Sequence, residues 1–481
     1  VSGDRGALAI VLHTHMPYVE GFGTWPFGEE WLWEAIACCY LPLLDLLERE
    51  LPVTLSLTPV LCDQLEVEGI AERFGAFIQD VRSATHAEDA AGLRAAGHEQ
   101  LARAVERSWR DYERALEAMH ARGGDLLSAL APFAQWTSSA THAVLPLLAG
   151  DAGVRLQVRA GIASHERRFG TWRGGFWLPE CGYAPWLAEG LADAGVRAVC
   201  VELTDTYGLG APEHLRPLVN EEGIVLVPID RACIALVWSD QGYPAAGAYR
   251  DYHHHTIHHH NPWNNTGGAY DRDAAHALAR EHAADFVART LARLREGREQ
   301  ARAQDRARLP GGGLAVCALD TELLGHWWYE GLEWLAAVAA ECERQGLELV
   351  RLDDAIERFE PRPLPARAAP SAPSSWGSGG DLSTWSGPAV ADMAFAARAA
   401  ELEVLGAAHE ISDAAIRELL ALQSSDWAFM CSRAIARPYA RERFEGHRSA
   451  LEQALREGSR HRSPELRNLA AHAHRSLILM P

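Results

Sequence analysis

The sequence has no C-x-x-C pair. Its nine cysteines are scattered singly apart from Cys38–Cys39, and the count is odd. That pattern disfavours a disulfide framework or a cysteine-built zinc site and fits a reducing cytoplasm. Positive charge is scarce too. Against 65 Asp+Glu stand 45 Lys+Arg, a formal net charge of −20. An acidic surface draws neither nucleic acid nor an anionic membrane, so neither is expected as a partner. Long apolar runs are missing: "ALAIVL", residues 7–12, is too short for a signal-peptide h-region or a bilayer span and reads as a strand. No G-x-G-x-x-G follows that strand and no Walker motif occurs, which argues against a nucleotide-binding sheet. There is no internal repeat.

What is present is a chain of 481 residues, 48% of them apolar, enough for a large barrel-type domain with an appendage. "LAIVLHTH", "VTLSLTP", "VRAVCVEL", "GIVLVPID", "GGLAVCALD" and "LELVRL" read as near-continuous apolar strands, separated by helical stretches. Such alternation means a parallel sheet covered on both faces, an α/β barrel or a doubly wound sheet. Residues about 62–128 are charged and rich in Ala, Arg and Glu, and read as a helical insertion. A Pro/Ser/Gly stretch, 361–380, leads into Trp376 and Trp385, and from about 390 onward the pattern is helical. Sixteen tryptophans is a high count for this length and points to aromatic platforms in a cleft as well as to core.

In a β/α barrel the working residues sit past the carboxyl ends of strands. Three polar clusters lie there: His13 and His15; Glu180 after "GGFWLP"; and Asp320, followed by Glu322, His326, Trp327 and Trp328. An acid at the end of an apolar strand must be solvated, paired or used. A pair of carboxyls among aromatics suits glycoside chemistry, because one stays neutral to protonate the leaving oxygen while the other, ionised, attacks. His13 and His15, two apart on one strand, share a face and offer a rival metal reading. The tract "HHHTIHHH", 253–260, reads as a surface loop, with a cleft wall or a metal site as alternatives.

In order along the chain, "VLHTHMPYV", "TSSATHAVLPLL", "GFWLPECGY", "ALDTELLGHWW" and "SSWGSGGDLSTWSGP" resemble the five motifs of glycoside hydrolase family 57. "LLALQSSDWAFM" is similar to a run in the C-terminal helical domain of that family's 1,4-α-glucan branching enzymes. The resemblance implies a distorted (β/α)7 pseudo-TIM barrel with a helical insertion and a C-terminal all-helical domain. The implied division is a catalytic barrel at 1–360, a Trp-bearing active-site loop at 361–390 and a helical domain at 391–481. It further implies a retaining transglycosylase that cleaves α-1,4-glucan and builds α-1,6 branches, with glucan chains as donor and acceptor and no cofactor or metal. Glu180 carries over as nucleophile, ionised at rest, and Asp320 as general acid/base with a raised pKa. His13, His15 and His142 would hydrogen-bond the sugar. Trp25, Trp177, Trp263, His326, Trp327, Trp376, Asp381 and Trp385 are the further candidates for substrate binding.

One departure stands out. Some branching enzymes of the family carry a Tyr on a mobile loop ahead of a "GYP" segment, whereas 229–244 here has none before Tyr243. An α-glucan hydrolase or a 4-α-glucanotransferase on the same barrel is therefore the first alternative. A metal-dependent carbohydrate deacetylase and a non-catalytic glucan-binding protein stand further off.

Overall fold

The computed structural model describes residues 5–23, 28–303, 309–364, 372–407, 411–436, 438–458 and 466–479. Among these residues ten strands form one curled sheet: β1 Ala7–Thr14, β2 Thr54–Leu57, β3 Ala134–Ser138, β4 Gly175–Trp177, β5 Ala198–Val201, β6 Leu218–Val219, β7 Val225–Pro228, β8 Leu314–Asp320, β9 Glu348–Leu349 and β10 Arg362–Pro363. Their order is β10-β6-β7-β5-β4-β3-β2-β1-β8, and β9 pairs with the start of β1, below the point where β2 begins. Every ladder is parallel except β6 with β7. Strands β1, β2, β3, β4, β5, β7 and β8 make the seven staves of an incomplete barrel. Between β7 and β8 the gap is spanned by the Asp230 N–H, which donates to the Val316 carbonyl at 2.8 Å.

All eight residues of β1 are buried, as expected of a strand covered on both faces. The sequence pattern did not reveal β3, "AQWTS", because it is short and polar, and "LELVRL" contributes only the two residues of β9. Helices Pro59–Leu65, Ile70–Ala76, Ser83–Ala95, Glu99–Ala121 and Leu126–Leu130 lie between β2 and β3. In Glu99–Ala121 the buried residues Ala102, Val105, Tyr112, Ala115 and Met119 recur at helical spacing, which gives it one face for the barrel. The chain contains no lysine, so its non-histidine cations are all arginines. Their fork geometry suits buried carboxylates. Arg82, buried in this region, bonds Glu34 through Nε at 2.7 Å and Glu30 at 3.3 Å.

After the barrel come helices Ala391–Gly406, Asp413–Leu422, Ser425–Ser432 and Tyr439–Glu457. Their apolar faces share one core cluster with Tyr18, Val60, Ala140, Leu156 and Ala160. Polar bonds fix the register of this packing. Glu401, fully buried, accepts from the Ala149 and Gly150 N–H groups at 2.9 and 3.0 Å and from Gln423 Nε2 at 2.9 Å. The carboxylate reaches them only because Gly153 has no side chain: a Cβ there would lie 2.2 Å from Glu401 Oε1. Replacing Glu401 with Ala leaves two partly buried backbone donors without this acceptor. Urea unfolding of Glu401→Ala is expected to show a loss of about 1–3 kcal/mol, and an unchanged midpoint would show that this contact does not hold the two parts together.

Candidate functional site

Ser56 on β2, His13 on β1 and Asp320 on β8 are register partners, so one row crosses the mouth of the barrel. In a parallel sheet such partners project to the same face. His15 follows one residue beyond the end of β1. Glu180 sits just past β4 in a short 3-10 turn, with φ of 61° at Glu180 and 51° at Cys181. His142, in the loop after β3, has φ of 59°. Left-handed backbone at a residue with a side chain costs on the order of 1–3 kcal/mol and persists only where its surroundings enforce it. Here the Trp376 N–H donates to the Glu180 carbonyl at 3.0 Å, and Tyr183 and Ser374 exchange backbone bonds at 3.0 and 2.9 Å. The Trp-bearing stretch thus lies across the Glu180 turn. Arg231 secures it by donating to the Trp376 carbonyl at 2.6 Å, and Arg231 is itself paired with Glu202.

The Glu180 carboxyl is held at both oxygens. Trp376 Nε1 donates to Oε2 at 2.9 Å and Ser425 Oγ to Oε1 at 3.2 Å. His142 Nδ1 lies 2.8 Å from Ser425 Oγ, and His142 Nε2 lies 2.8 Å from His13 Nε2. His15 Nε2 meets Asp426 Oδ1 at 2.9 Å and its Nδ1 meets Thr58 Oγ1 at 3.2 Å. Glu322 accepts from the Tyr40 hydroxyl at 2.7 Å and from the His15 N–H at 3.1 Å. The rings of His15 and His142 stack 3.9 Å apart, and His13 stacks on Trp177 at 4.7 Å.

Burial sets the charges of this cluster. It raises the Asp320 carboxyl well above the carboxylate range, and the nearby Glu322 and Glu180 charges add to the effect. Burial also pushes Glu180 up to about 7, against the opposing hydrogen bond from Trp376. Burial thus makes Glu180 harder to ionise than an ordinary carboxylate, which bears on the expectation of a group ionised at rest. Glu322 rises to about 7 for the same reason, opposed by the Tyr40 bond. At His15, burial pushes the pKa down, but the Asp426 carboxylate, with the Glu322 and Glu180 charges, outweighs it and the net shift is upward. Burial then leaves His13 and His142 far below the ordinary histidine value, with the His15 charge reinforcing the shift. The result is an imidazolium at His15 stacked on the neutral His142, which in turn bonds the neutral His13.

The structure thus brings together His13, His15, His142, Glu180, Asp320, Trp177 and Trp376. The remaining candidates are placed differently. Trp385 is 3% exposed and packed on Val144 and Leu382, and like the fully buried Trp177 of the site it offers no free face to a sugar. Asp381 is exposed and accepts from the Ser383 N–H at 2.9 Å, where it orders a turn. Trp263 has one face covered by His254 at 3.8 Å. His326 is half-buried beside Tyr252, and Trp327, 39% exposed, meets the exposed Trp238 edge-on at 5.7 Å. Trp25 lies outside the described residues.

Ser425 and Asp426 were not among the sequence candidates. Their signal was an acid and two serines on a helix that otherwise buries apolar residues, and the position of that helix was not legible. The 253–260 tract is a loop pinned to the insertion: His258 and His260 meet Asp89 at 2.9 and 2.7 Å, and Arg82 donates to the His258 carbonyl. His15, His142 and Asp426 bring one donor atom each within 4.8 Å of one another. This set does not fit a metal. The two rings are stacked 19° from parallel, so their lone pairs run side by side, and each ring nitrogen already has a protein partner.

The profile of glycosyl hydrolase family 57 matches residues 136–367, and that of the 1,4-alpha-glucan branching enzyme C-terminal region matches 388–478. A 1,4-alpha-glucan branching enzyme of Thermococcus kodakarensis is 30% identical over 91% of this chain and 72% of its own. A probable 1,4-alpha-glucan branching enzyme of Mycobacterium tuberculosis is 33% identical over 93% of this chain and 91% of its own. The crystal structure of a family 57-type branching enzyme from Pyrococcus horikoshii superposes with a TM-score of 0.87 at 28% identity, covering 98% of this chain and 97% of that one. With that much of each relative spanned, and the motif residues gathered at one barrel mouth, this chain belongs to glycoside hydrolase family 57.

Proposed function

We propose that the protein is a 1,4-α-glucan branching enzyme, a retaining transglycosylase that cleaves an α-1,4-glucan and rebuilds the cut chain as an α-1,6 branch. The observation that carries this reading is the entry of the C-terminal helices into the carboxylate site. Ser425 and Asp426, within the stretch that matches the branching-enzyme C-terminal region, bond Glu180 and His15 directly. Glu180, as carboxylate, attacks the anomeric carbon of the donor. Asp320, protonated, gives its proton to the departing glycosidic oxygen, and a glucosyl ester forms on Glu180. The 6-hydroxyl of an acceptor chain then loses its proton to Asp320, and its oxygen displaces Glu180. Two displacements retain the anomeric configuration. Burial holds the Asp320 carboxyl well above the carboxylate range, which suits a group that must arrive protonated and give its proton to the leaving oxygen.

Transfer competes with water at about 55 M, so the acceptor must be held in place and water kept away from the ester. Trp327 and Trp238 present exposed aromatic surface near the loop that follows Asp320 and suit stacking on a pyranose. A hydrolase or 4-α-glucanotransferase is the second reading, favoured by one observation: the stretch before Tyr243 is a short helix, Arg231–Val237, that carries no tyrosine.

Amylose incubated with the protein is expected to gain α-1,6 linkages with few new reducing ends; reducing ends without branches would leave the second reading. Glu180→Gln should lower cleavage on the order of ten-thousandfold, and Asp320→Asn about 10²–10⁴-fold, both measured as chain shortening on a glucan of defined length. Activity requires Glu180 deprotonated, so kcat/KM should fall as pH drops through about 7. Trp376→Phe removes a donor that favours the charged form. It should move that acid limb up by about one unit, whereas an unshifted limb would mean that this bond does not tune the nucleophile.

A further inference from the structure

We propose that Ser425 is the link in a one-directional hydrogen-bond chain that ties the protonation of Glu180 to the tautomers of His142 and His13. The inference rests on the reading above only in taking Glu180 as a group that must ionise. Its basis is which atoms carry hydrogen.

An ionised Glu180 has no hydrogen, so at 3.2 Å the Ser425 hydroxyl must donate to Oε1. With its single hydrogen used, Ser425 Oγ accepts from His142 Nδ1 at 2.8 Å. His142 is neutral, so its Nε2 is bare and accepts from His13 Nε2–H at 2.8 Å. His13, also neutral, keeps Nδ1 bare toward the Ser56 hydroxyl at 3.5 Å. Every direction in the chain follows from the charge on one carboxyl.

Protonation reverses it. The indole of Trp376 is donor-only and is served best by a carbonyl-type Oε2, the stronger acceptor, which favours the proton on Oε1, facing Ser425. Ser425 then donates to His142 Nδ1, His142 Nε2–H donates to His13 Nε2, and His13 Nδ1–H donates to Ser56. The balance is one proton taken up at the Ser56 end, with each hydrogen moved one step along and one delivered to Glu180. No histidine changes charge.

The surrounding charged groups hold the two imidazoles neutral throughout. His15 stacks on His142 and carries positive charge, sustained by Asp426 and Glu322. Asp426 bonds His15 and its charge acts on Glu180, and the Glu180 charge acts on Asp320. Trp177 covers His13. Glu322 is the other group pushed up to about 7, and it bonds Tyr40 and the His15 backbone, outside the chain. Ser425 is accordingly a positioning residue: it belongs to the C-terminal helices and closes a chain whose other members all lie on the barrel.

The test uses the whole protein labelled with ¹⁵N-histidine. The ring nitrogens of His13 and His142 are assigned from the loss of signals in His13→Gln and His142→Gln and followed from pH 5 to 9. Both are expected to exchange tautomers with the midpoint of the acid limb of kcat/KM. In Glu180→Gln, Trp376 holds the amide oxygen, so the NH2 faces Ser425 and both histidines stay in the protonated-state tautomers at every pH. If they still titrate there, Glu322 or another group drives them and the proposal fails. Ser425→Ala should uncouple both histidines from Glu180. It should also raise the acid limb by about one unit, a roughly tenfold loss of kcat/KM at low pH, and Ser425→Thr should restore both. Ring signals that do not move through the wild-type titration, or that move equally in Ser425→Ala, overturn the idea. Because the spectra need no substrate, a failure to find α-1,6 branches would remove the branching reading and leave this one standing.

Discussion

Buried negative charge is the constraint on which the site depends. Glu180, Asp320, Glu322 and Asp426 lie in one barrel mouth with a single imidazolium, His15, among them. Removing carboxylates from water is costly unless each is paired, hydrogen-bonded or neutralised. The site uses all three devices. Asp426 is paired with His15, Glu180 is bonded by Trp376 and Ser425, Glu322 is bonded by Tyr40, and burial pushes Asp320 toward its neutral form. The division of labour proposed for the reaction is thus the same division that makes the cluster tolerable in the folded state.

Much of the architecture serves that arrangement. Three segments distant in sequence meet at Glu180: the turn after β4, the stretch around Trp376, and the helix that begins at Ser425. The left-handed backbone at His142 and Glu180 is the local cost of aiming both side chains into the same space. Neighbouring contacts offset it, notably the Trp376 N–H on the Glu180 carbonyl and the Ser425 N–H on the His142 carbonyl at 3.2 Å. The Glu401 carboxylate, bonded to Ala149, Gly150 and Gln423, holds the same helices in register a few residues before Ser425. Stability of the helical packing and chemistry at the carboxylate are therefore coupled through a short length of chain.

The aromatic residues show where pattern reading reached its limit. Trp177, Trp376, Trp385, Trp327 and Trp263 all lie in motif-like stretches rich in glycine, proline or polar residues, and sequence treats them alike. Packing separates them. Trp385 fills a small core with Val144 and Leu382, and Trp177 backs His13. Trp376 is a hydrogen-bond donor to Glu180, Trp263 is covered by His254, and Trp327 remains open beside Trp238. The histidine tract is similar, since its composition suggests a metal while the fold gives His258 and His260 to Asp89.

By itself the sequence determined the strand-and-helix alternation, the helical insertion and tail, and the two acids at strand ends. These rest on local periodicity and on the rule that barrel chemistry sits past the carboxyl ends of strands. It also determined the family, through the order of five motifs. Only the tertiary structure decided that Ser425 and Asp426 complete the site, that burial makes Glu180 harder to ionise than an ordinary carboxylate, and which tryptophans keep an open face. Each of these depends on burial and on contacts between residues more than two hundred positions apart for Ser425 and Asp426, and no local pattern in a chain encodes which of its distant segments will exclude water from which carboxyl.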